Sequence, residues 1–295
     1  MVYQKKLFTS IAIISILFIG INIQFVNAEI KLDKAFLRIV YAFTQENITR
    51  ESLLSRTDTM YMDIGSRYSE FYDMTAFAKD SLKKLVFQPG RVKSVSVIKN
   101  QQIAESVINV NKFGDGNVFL PNSYISFTIY KDRDEKHIYT LDKVSDMSET
   151  SIFLDEEISP QQWTIDSDTC RILDYLCYRA TTKFGGREYE VFFTPEIPIN
   201  EGPWKLYGLP GLILAAITSD GIFSFQSIGI QKVNDKSISI PDGKNSEVCK
   251  DLNHYQQFVQ SKAKNESYTF EKNGAITIVD KFTSKNVILL ETEEN

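Results

Sequence analysis

The stretch Phe193–Leu214, FTPEIPINEGPWKLYGLPGLIL, constrains the fold more than any other part of the sequence. Its prolines fix the backbone torsion φ and remove N–H donors, while its glycines permit positive φ or close approach of another backbone. We therefore expect a rigid, non-helical loop around a buried aromatic residue. Residues 209–212 predict a type II turn with Gly211 at positive φ, because proline suits the second position and glycine the third. We call residues 193–214 the signature segment, and its backbone-determining residues are Pro195, Pro198, Gly202, Pro203, Gly208, Leu209, Pro210, Gly211 and Leu212.

The run Gly-Leu-Pro-Gly-Leu-Ile at residues 208–213 resembles the signature of the GLPGLI family of exported Bacteroidetes proteins. The chain departs from the family where Val191-Phe192-Phe193 stands in place of the usual Ala-Trp-Tyr. The resemblance implies an exported protein whose family has no established activity. The resemblance also covers residues 66–72, 80–81, 177–187, 194–198 and 202–205.

The N-terminus has the three parts of a secretory signal peptide. Lys5 and Lys6 precede an almost wholly apolar run over residues 7–21, and Val26-Asn27-Ala28 supplies small residues for cleavage. We expect removal of residues 1–28 and a periplasmic or secreted product, with an uncleaved membrane anchor as the alternative. The remaining residues, 29–295, are predicted to form one β-rich domain.

The charge of the chain argues against nucleic acid as a partner. The formal net charge is −5, and the predicted cleavage would remove two lysines and no acid. No basic stripe is available to bind phosphates. The three cysteines lie in the exported part, where disulfides persist. Cys170 and Cys177 could pair across a short hairpin; a Cys177–Cys249 bridge or a buried free thiol is the alternative.

Strand patterns dominate the rest of the chain. Alternation at Met60, Met62 and Ile64 predicts a strand, and Gly185-Gly186 predicts a two-residue hairpin between strands over residues 171–184 and 187–193. The charged residues 132–136 and the run Ser219-Asp220-Gly221 predict two further hairpin turns. Helices are predicted from an Asp73 cap to residue 85 and over residues 246–262. This order predicts a mainly β fold, with a large twisted antiparallel sheet or half-barrel and about two helices packed on it.

The search for catalytic or metal-binding motifs is negative. The two histidines, His137 and His254, have no second histidine at ligand spacing, and no catalytic, phosphate-binding or dinucleotide motif occurs. The acidic run Asp155-Glu156-Glu157 predicts a solvated turn. We therefore expect neither a metal nor a cofactor.

Two functional hypotheses follow. The first is a non-enzymatic binding or accessory protein of the cell envelope that holds a peptide, an apolar ligand or an outer-membrane partner. Its contacts would come from Glu196, Trp204, Lys205 and Tyr207, if the signature segment forms a binding lip rather than a structural plug. The second is an exported, peptidase-like hydrolase with an unrecognised site near Glu196 or His137.

Overall fold

The computed structural model describes residues 31–48, 53–78, 97–99, 106–109, 117–120, 125–143, 151–265, 267–272, 275–281 and 290–291. Within these ranges the chain is mostly β-strand with two helices. The helices are α1, described over residues 74–78, and α2 (Leu252–Asn265). The strands are β1 (Leu32–Lys34), β2 (Leu37–Ile48), β3 (Leu53–Ile64), β4 (Tyr68–Asp73), β5 (Val97–Lys99), β6 (Ser106–Asn109), β7 (Asn117–Leu120), β8 (Phe127–Asp132), β9 (His137–Lys143), β10 (Ser151–Glu157), β11 (Thr164–Ile172), β12 (Tyr175–Phe184), β13 (Arg187–Thr194), β14 (Leu212–Thr218), β15 (Phe223–Lys232), β16 (Ser237–Ser239), β17 (Ser246–Cys249), β18 (Ser267–Lys272) and β19 (Ala275–Lys281).

Twelve strands form one open sheet in the order β11-β12-β13-β14-β15-β2-β3-β4-β8-β9-β10-β17. Neighbouring strands are antiparallel, except that β10 and β17 pair in parallel. Because the sheet is not closed into a barrel, it presents two faces. This arrangement confirms the prediction of a mainly β fold with a large antiparallel sheet and two helices.

Period-two alternation in the central strands separates the two faces of the sheet. In β2, Ile39, Tyr41 and Phe43 are buried, and in β3 the partner of Tyr41 is Met60 and the partner of Ile39 is Met62. We call the face that carries these side chains the inner face. The signature segment and α2 both pack against it, so the main core lies there.

Several turns confirm the sequence predictions. Gly185 and Gly186 have φ of 57° and 71° between β12 and β13, as a two-residue hairpin requires. Residues 132–136 connect β8 to β9, and Gly221, with φ 69°, lies between β14 and β15. The Asp73 carboxylate accepts a hydrogen bond from the Thr75 backbone N–H (2.7 Å), so α1 is capped as predicted.

Two boundaries differ from the predictions. The helix expected over residues 246–262 is divided, because residues 246–249 pair with β10 and the helix begins only at Leu252. The strand expected over residues 171–184 is interrupted by a turn at Leu173 and Asp174, which have φ of 48° and 69°. No glycine marks that turn, so the turn rules did not locate it, although the spacing of Cys170 and Cys177 allowed a short hairpin there.

The domain prediction concerns the ends of the chain. Leu32–Asn295 forms one compact unit. The predicted signal peptide over residues 1–28 and the predicted part of α1 beyond residue 78 lie outside the described residues, so cleavage and the domain boundary stay predictions.

Candidate functional site

The signature segment is built into the core. It leaves β13 and returns as β14, and Leu206, Leu209 and Leu212 are buried along it. The backbone N–H of Leu212 donates to the carbonyl of Ile197, at 3.0 Å. The Tyr41 hydroxyl, from the middle of β2, donates to the carbonyl of Ile213 at 2.6 Å. These contacts fix the segment against the centre of the sheet.

The predicted type II turn at residues 209–212 is wrong. The N–H of Leu212 bonds to Ile197 rather than to Leu209, and the φ of Gly211 is not positive. Glycine is required there for a different reason, since a Cβ on Gly211 would lie 2.2 Å from the Thr194 carbonyl oxygen. The positive φ in this part of the segment belongs to Gly208, at 106°.

The hydrogen-bonded turn of the segment lies instead around Trp204. The Leu206 N–H donates to the Pro203 carbonyl at 3.1 Å, and Trp204 has φ 55°. This is the torsion that a type II′ turn needs at its second position, where glycine is usual. A bulky residue in the left-handed region is strained by about 1–2 kcal/mol, so the surroundings must hold it there.

A buried ion pair holds this turn. The Lys131 ammonium donates to Glu201 Oε2 (2.7 Å) and to the carbonyls of Gly202 (2.9 Å) and Leu206 (3.0 Å). Both charged side chains are buried, and Glu201 also contacts Arg133 at 3.2 Å. Burial alone would raise the pKa of Glu201, but the two cations outweigh it and lower that pKa. A carboxylate thus lies at one end of the turn and a lysine of β8 bridges the turn.

Trp204 lines a cavity of about 160 Å³ between the inner face, the signature segment and α2. Its innermost residues, Phe43, Ile129 and Phe223, are almost fully buried, whereas Phe127 and Tyr255 near the other end are half-buried. Aromatic rings make up much of the apolar wall. We call this space the Trp204 cavity. Its lining includes Phe43, Phe127, Ile129, Thr140, Asp142, Trp204, Lys205, Phe223, Tyr255, Gln256 and Glu291.

Polar side chains line the cavity beside the apolar ones, since Asp142 is the cross-strand partner of Phe127 and Thr140 that of Ile129 on the inner face. Asp142 of β9 accepts a hydrogen bond from the Tyr255 hydroxyl of α2, at 2.9 Å. Burial, together with that carboxylate, raises the pKa of Tyr255 well above its ordinary value, so the phenol keeps its proton. Thr140, two residues from Asp142 on the same face of β9, is 2% exposed. Within the described part of the chain its hydroxyl oxygen has no hydrogen-bond partner, which is costly in an apolar interior.

Lys205 closes one side of the cavity. Its ammonium lies 2.6 Å from Glu156 Oε2 and 2.6 Å from Glu291 Oε2. Burial would lower the pKa of Lys205, but the two carboxylates outweigh it and the pKa is raised. Burial raises the pKa of Glu156, which Lys205 offsets only in part. The Gln256 side chain donates to the Glu291 carbonyl at 3.0 Å, so these groups also join α2 to the residues beside the C-terminus.

Two of the four predicted binding residues line the cavity and two do not. Trp204 and Lys205 line the cavity, but they are 3% and 4% exposed and do not form an external lip. Glu196 accepts a hydrogen bond from the Leu176 N–H (2.9 Å), and the Tyr207 hydroxyl donates to the Ser159 carbonyl (2.7 Å). Both of these contacts fasten the segment to its neighbours.

A second depression follows the outside of the signature segment. It has a volume of about 450 Å³ and is lined by Pro198, Asn200 and residues 208–211. No aromatic or charged side chain lines it. The Trp204 cavity is therefore the stronger candidate site.

The cysteines and histidines lie outside the cavity. Cys170 and Cys177 are opposite each other across β11 and β12, and both are free thiols, as is Cys249. The Cys170–Cys177 pairing therefore stays a prediction. His137 Nδ1 lies 2.7 Å from Asp155 Oδ1, but both side chains are partly exposed and line neither cavity. His254 lies in the first turn of α2, where its backbone N–H donates to the Asp251 carboxylate at 2.7 Å.

The described residues form neither a metal site nor a membrane-spanning helix. Among the described residues, no group of three or more His, Cys, Asp or Glu side chains is placed to hold a metal ion. The helices that the structure describes include none that is long and apolar enough to cross a membrane.

Comparison with known proteins gives the family. A family model described as N-glycanase peptide, N-terminal domain, matches residues 91–257, which is more than half of the chain. The chain therefore belongs to this family. No curated protein sequence matches it.

Two solved structures share the fold. They are described as PNGF-II in the P21 and C2 space groups, with a TM-score of 0.50 and sequence identities of 13% and 12%. Each match covers 81% of this chain but only 36% and 35% of the other chain. The chain thus spans about a third of the length of these structures.

These comparisons overturn two predictions. The assignment to the GLPGLI family is wrong, because the family that matches is the N-glycanase N-terminal domain. Local packing accounts for the hexapeptide, as at Gly211, so six residues were a weak guide to ancestry. The prediction of an accessory protein of unestablished activity is also contradicted, because the match relates the chain to glycanases. The peptide, apolar and outer-membrane partners named with it are untested.

Proposed function

We propose that this chain binds carbohydrate in the Trp204 cavity, and that the ligand is an N-linked glycan or a peptide that carries one. The observation that carries the proposal is the mixed apolar and polar lining of the cavity. Trp204, Phe43 and Phe127 offer apolar ring surface, whereas Thr140 and Asp142 offer hydrogen-bonding oxygens. A sugar ring has apolar C–H faces and hydroxyl groups that donate and accept, so it matches both kinds of lining side chain.

The buried hydroxyl of Thr140, which has no hydrogen-bond partner among the described residues, supports a ligand in particular. A buried polar atom without a partner costs roughly 1–3 kcal/mol, and such an atom calls for an explanation. A hydroxyl group of a bound sugar would supply the missing partner. The cavity also has the form of most small-molecule sites, which are mainly apolar with a few placed polar groups.

The family supports the glycan part of the proposal. The matching model is named for an N-glycanase, and the similar solved structures are named PNGF-II. Because the chain spans about a third of their length, we propose glycan recognition for this chain and assign it no glycan release. The export predicted from residues 1–28 fits this proposal, since N-linked glycans are carried by secreted proteins.

Cleavage has less support in the described residues. The carboxylates Glu156 and Glu291 are both held by Lys205 at 2.6 Å, and Asp142 is bonded to Tyr255. Neither histidine faces the cavity. Glu196 and His137, the residues of the peptidase-like alternative, line neither the Trp204 cavity nor the second depression.

Calorimetry with a matched pair of ligands tests the proposal. The purified chain is titrated with an N-glycopeptide and, separately, with the same peptide after its glycan has been removed. We expect saturable binding of the glycopeptide alone, and mass spectrometry should find its glycan still attached. Equal binding of the bare peptide, or no binding of either ligand, would refute carbohydrate recognition. Released glycan would show that the chain is an enzyme.

A further inference from the structure

The size of the Trp204 cavity limits what can enter it. Its volume of about 160 Å³ is close to that of a cavity of about 150 Å³ known to hold benzene, so it has room for one six-membered ring. The almost fully buried Phe43, Ile129 and Phe223 close the inner end. A glycan that continued on both sides of the bound sugar ring would collide with these three side chains. The ring in the cavity must therefore be the last residue of its chain.

The charge of the cavity wall restricts the ligand further. Asp142 and Glu291 line the cavity, and Glu156 lies immediately behind Lys205. Lys205 is the one cation among the described lining residues, and two carboxylates already neutralise it at 2.6 Å. A ligand carboxylate would thus face excess negative charge where solvent screening is weak. Sugar hydroxyls, in contrast, can donate to these carboxylates.

From this size and charge we infer that the Trp204 cavity binds the terminal, uncharged residue of a glycan end-on and rejects an acidic residue in the same place. The inference rests on the proposed function and adds which part of the glycan is recognised. Trp204 and Phe127 contact the faces of the ring, and Thr140 and Asp142 bond its hydroxyls. The rest of the glycan extends past the half-buried side chains of Tyr255 and Gln256.

Two glycopeptides that differ at one carbon test the inference. The first has antennae that end in galactose; in the second, C6 of those terminal residues has been oxidised from a hydroxymethyl group to a carboxylate. Both are titrated calorimetrically, beside the bare peptide. We expect the oxidised ligand to bind at least about tenfold more weakly, because like charges would meet in the cavity.

The outcomes separate the two proposals. Equal affinity for both glycopeptides would overturn end-on recognition of a neutral residue but leave glycan binding intact. Tighter binding of the oxidised ligand would overturn it as well. If no glycopeptide bound, the proposed function would fall together with this inference.

A charge variant gives an independent reading. Asp142→Asn removes one negative charge and keeps an oxygen for the Tyr255 hydroxyl. We expect the ratio of the affinities for the two glycopeptides to become smaller, at least about threefold, in this variant. Asp155→Asn is the matched control, because Asp155 pairs with His137 away from the cavity and should leave the difference unchanged. An unaltered difference in Asp142→Asn would contradict the assigned role of the cavity charge.

Discussion

Trp204 is the central residue of the proposed glycan-binding cavity. It holds a torsion that usually belongs to glycine, and its ring is buried against Phe184 and Tyr189, with centroids 5.6 and 6.2 Å away. Such strain persists only where the surroundings determine it, and it is concentrated at functional sites. Here the contacts of Lys131 with Gly202 and Leu206 supply the constraint. The observed strain thus supports a ligand role for the Trp204 cavity.

Thr140 provides a prediction in which stability and binding change in opposite directions. Thr140→Val removes a buried hydroxyl that has no partner in the described structure, so we expect the free energy of unfolding to stay level or rise by about 1 kcal/mol. Glycopeptide affinity should nevertheless fall, because the ligand loses a hydrogen bond. Urea unfolding and calorimetry measure the two effects.

Thr182→Val is the matched control for that prediction. The Thr182 hydroxyl is bonded to the Gln162 carbonyl at 2.7 Å and lies outside the cavity. This variant should lose about 1 kcal/mol of stability and keep its affinity for the glycopeptide. An unchanged affinity in Thr140→Val would remove Thr140 from the binding site.

Gly211 gives a prediction about packing. Gly211→Ala places a Cβ 2.2 Å from the Thr194 carbonyl oxygen, and backbone must move to admit it. We expect a loss of about 1–3 kcal/mol in urea unfolding. Gly229→Ala is the control, since its Cβ would meet Val40 at an ordinary 3.7 Å and should have little effect. Equal stability of the two variants would refute the close contact.

At the scale of elements, the Lys131–Glu201 pair joins β8 to the signature segment. Lys131→Met leaves the carboxylate of Glu201 buried with fewer partners, so we expect a loss of about 3–5 kcal/mol. Adding Glu201→Gln removes the buried negative charge and should recover part of the lost free energy of unfolding. A double variant as unstable as the sum of the single variants would show that the two residues act independently.

The same pair predicts a dependence of stability on pH. The pKa of Glu201 is lowered in the folded chain, so its contribution is present above its unfolded pKa and is lost as pH falls through the folded value. Unfolding free energy should therefore decrease below about pH 4.5. In Glu201→Gln this part of the decrease should be absent when urea unfolding is compared at pH 6 and pH 3. An identical pH profile would contradict the assignment.

Local patterns predicted many of the elements. Alternation located β3, and Gly185-Gly186 located a hairpin, because these signals depend on residues adjacent in sequence. The turn at Leu173 and Asp174 lacked glycine, and β17 was taken for helix because its parallel pairing with β10 is a tertiary effect. The inward position of Lys131, two residues after Ile129, was a signal of the buried pair that sequence reasoning missed.

For the whole molecule, the site could be predicted only in part. Trp204 and Lys205 were found because they lie in a stretch constrained by proline and glycine. Thr140, Asp142 and Tyr255 join them from β9 and α2, and only the order of strands in the sheet brings those elements to the signature segment. Predicting that arrangement requires the long-range pairings, which no local motif announces.

Fluorescence of Trp204 is the sharpest test of glycan binding in its cavity. The sequence has two tryptophans, so Trp163→Phe leaves Trp204 as the one indole. We predict a saturable change in its emission when the galactose-terminated glycopeptide is added, with the midpoint that calorimetry gives, and no change with the bare peptide. If calorimetry showed binding without any change in Trp204 emission, the glycan would bind elsewhere, which would contradict binding in the Trp204 cavity.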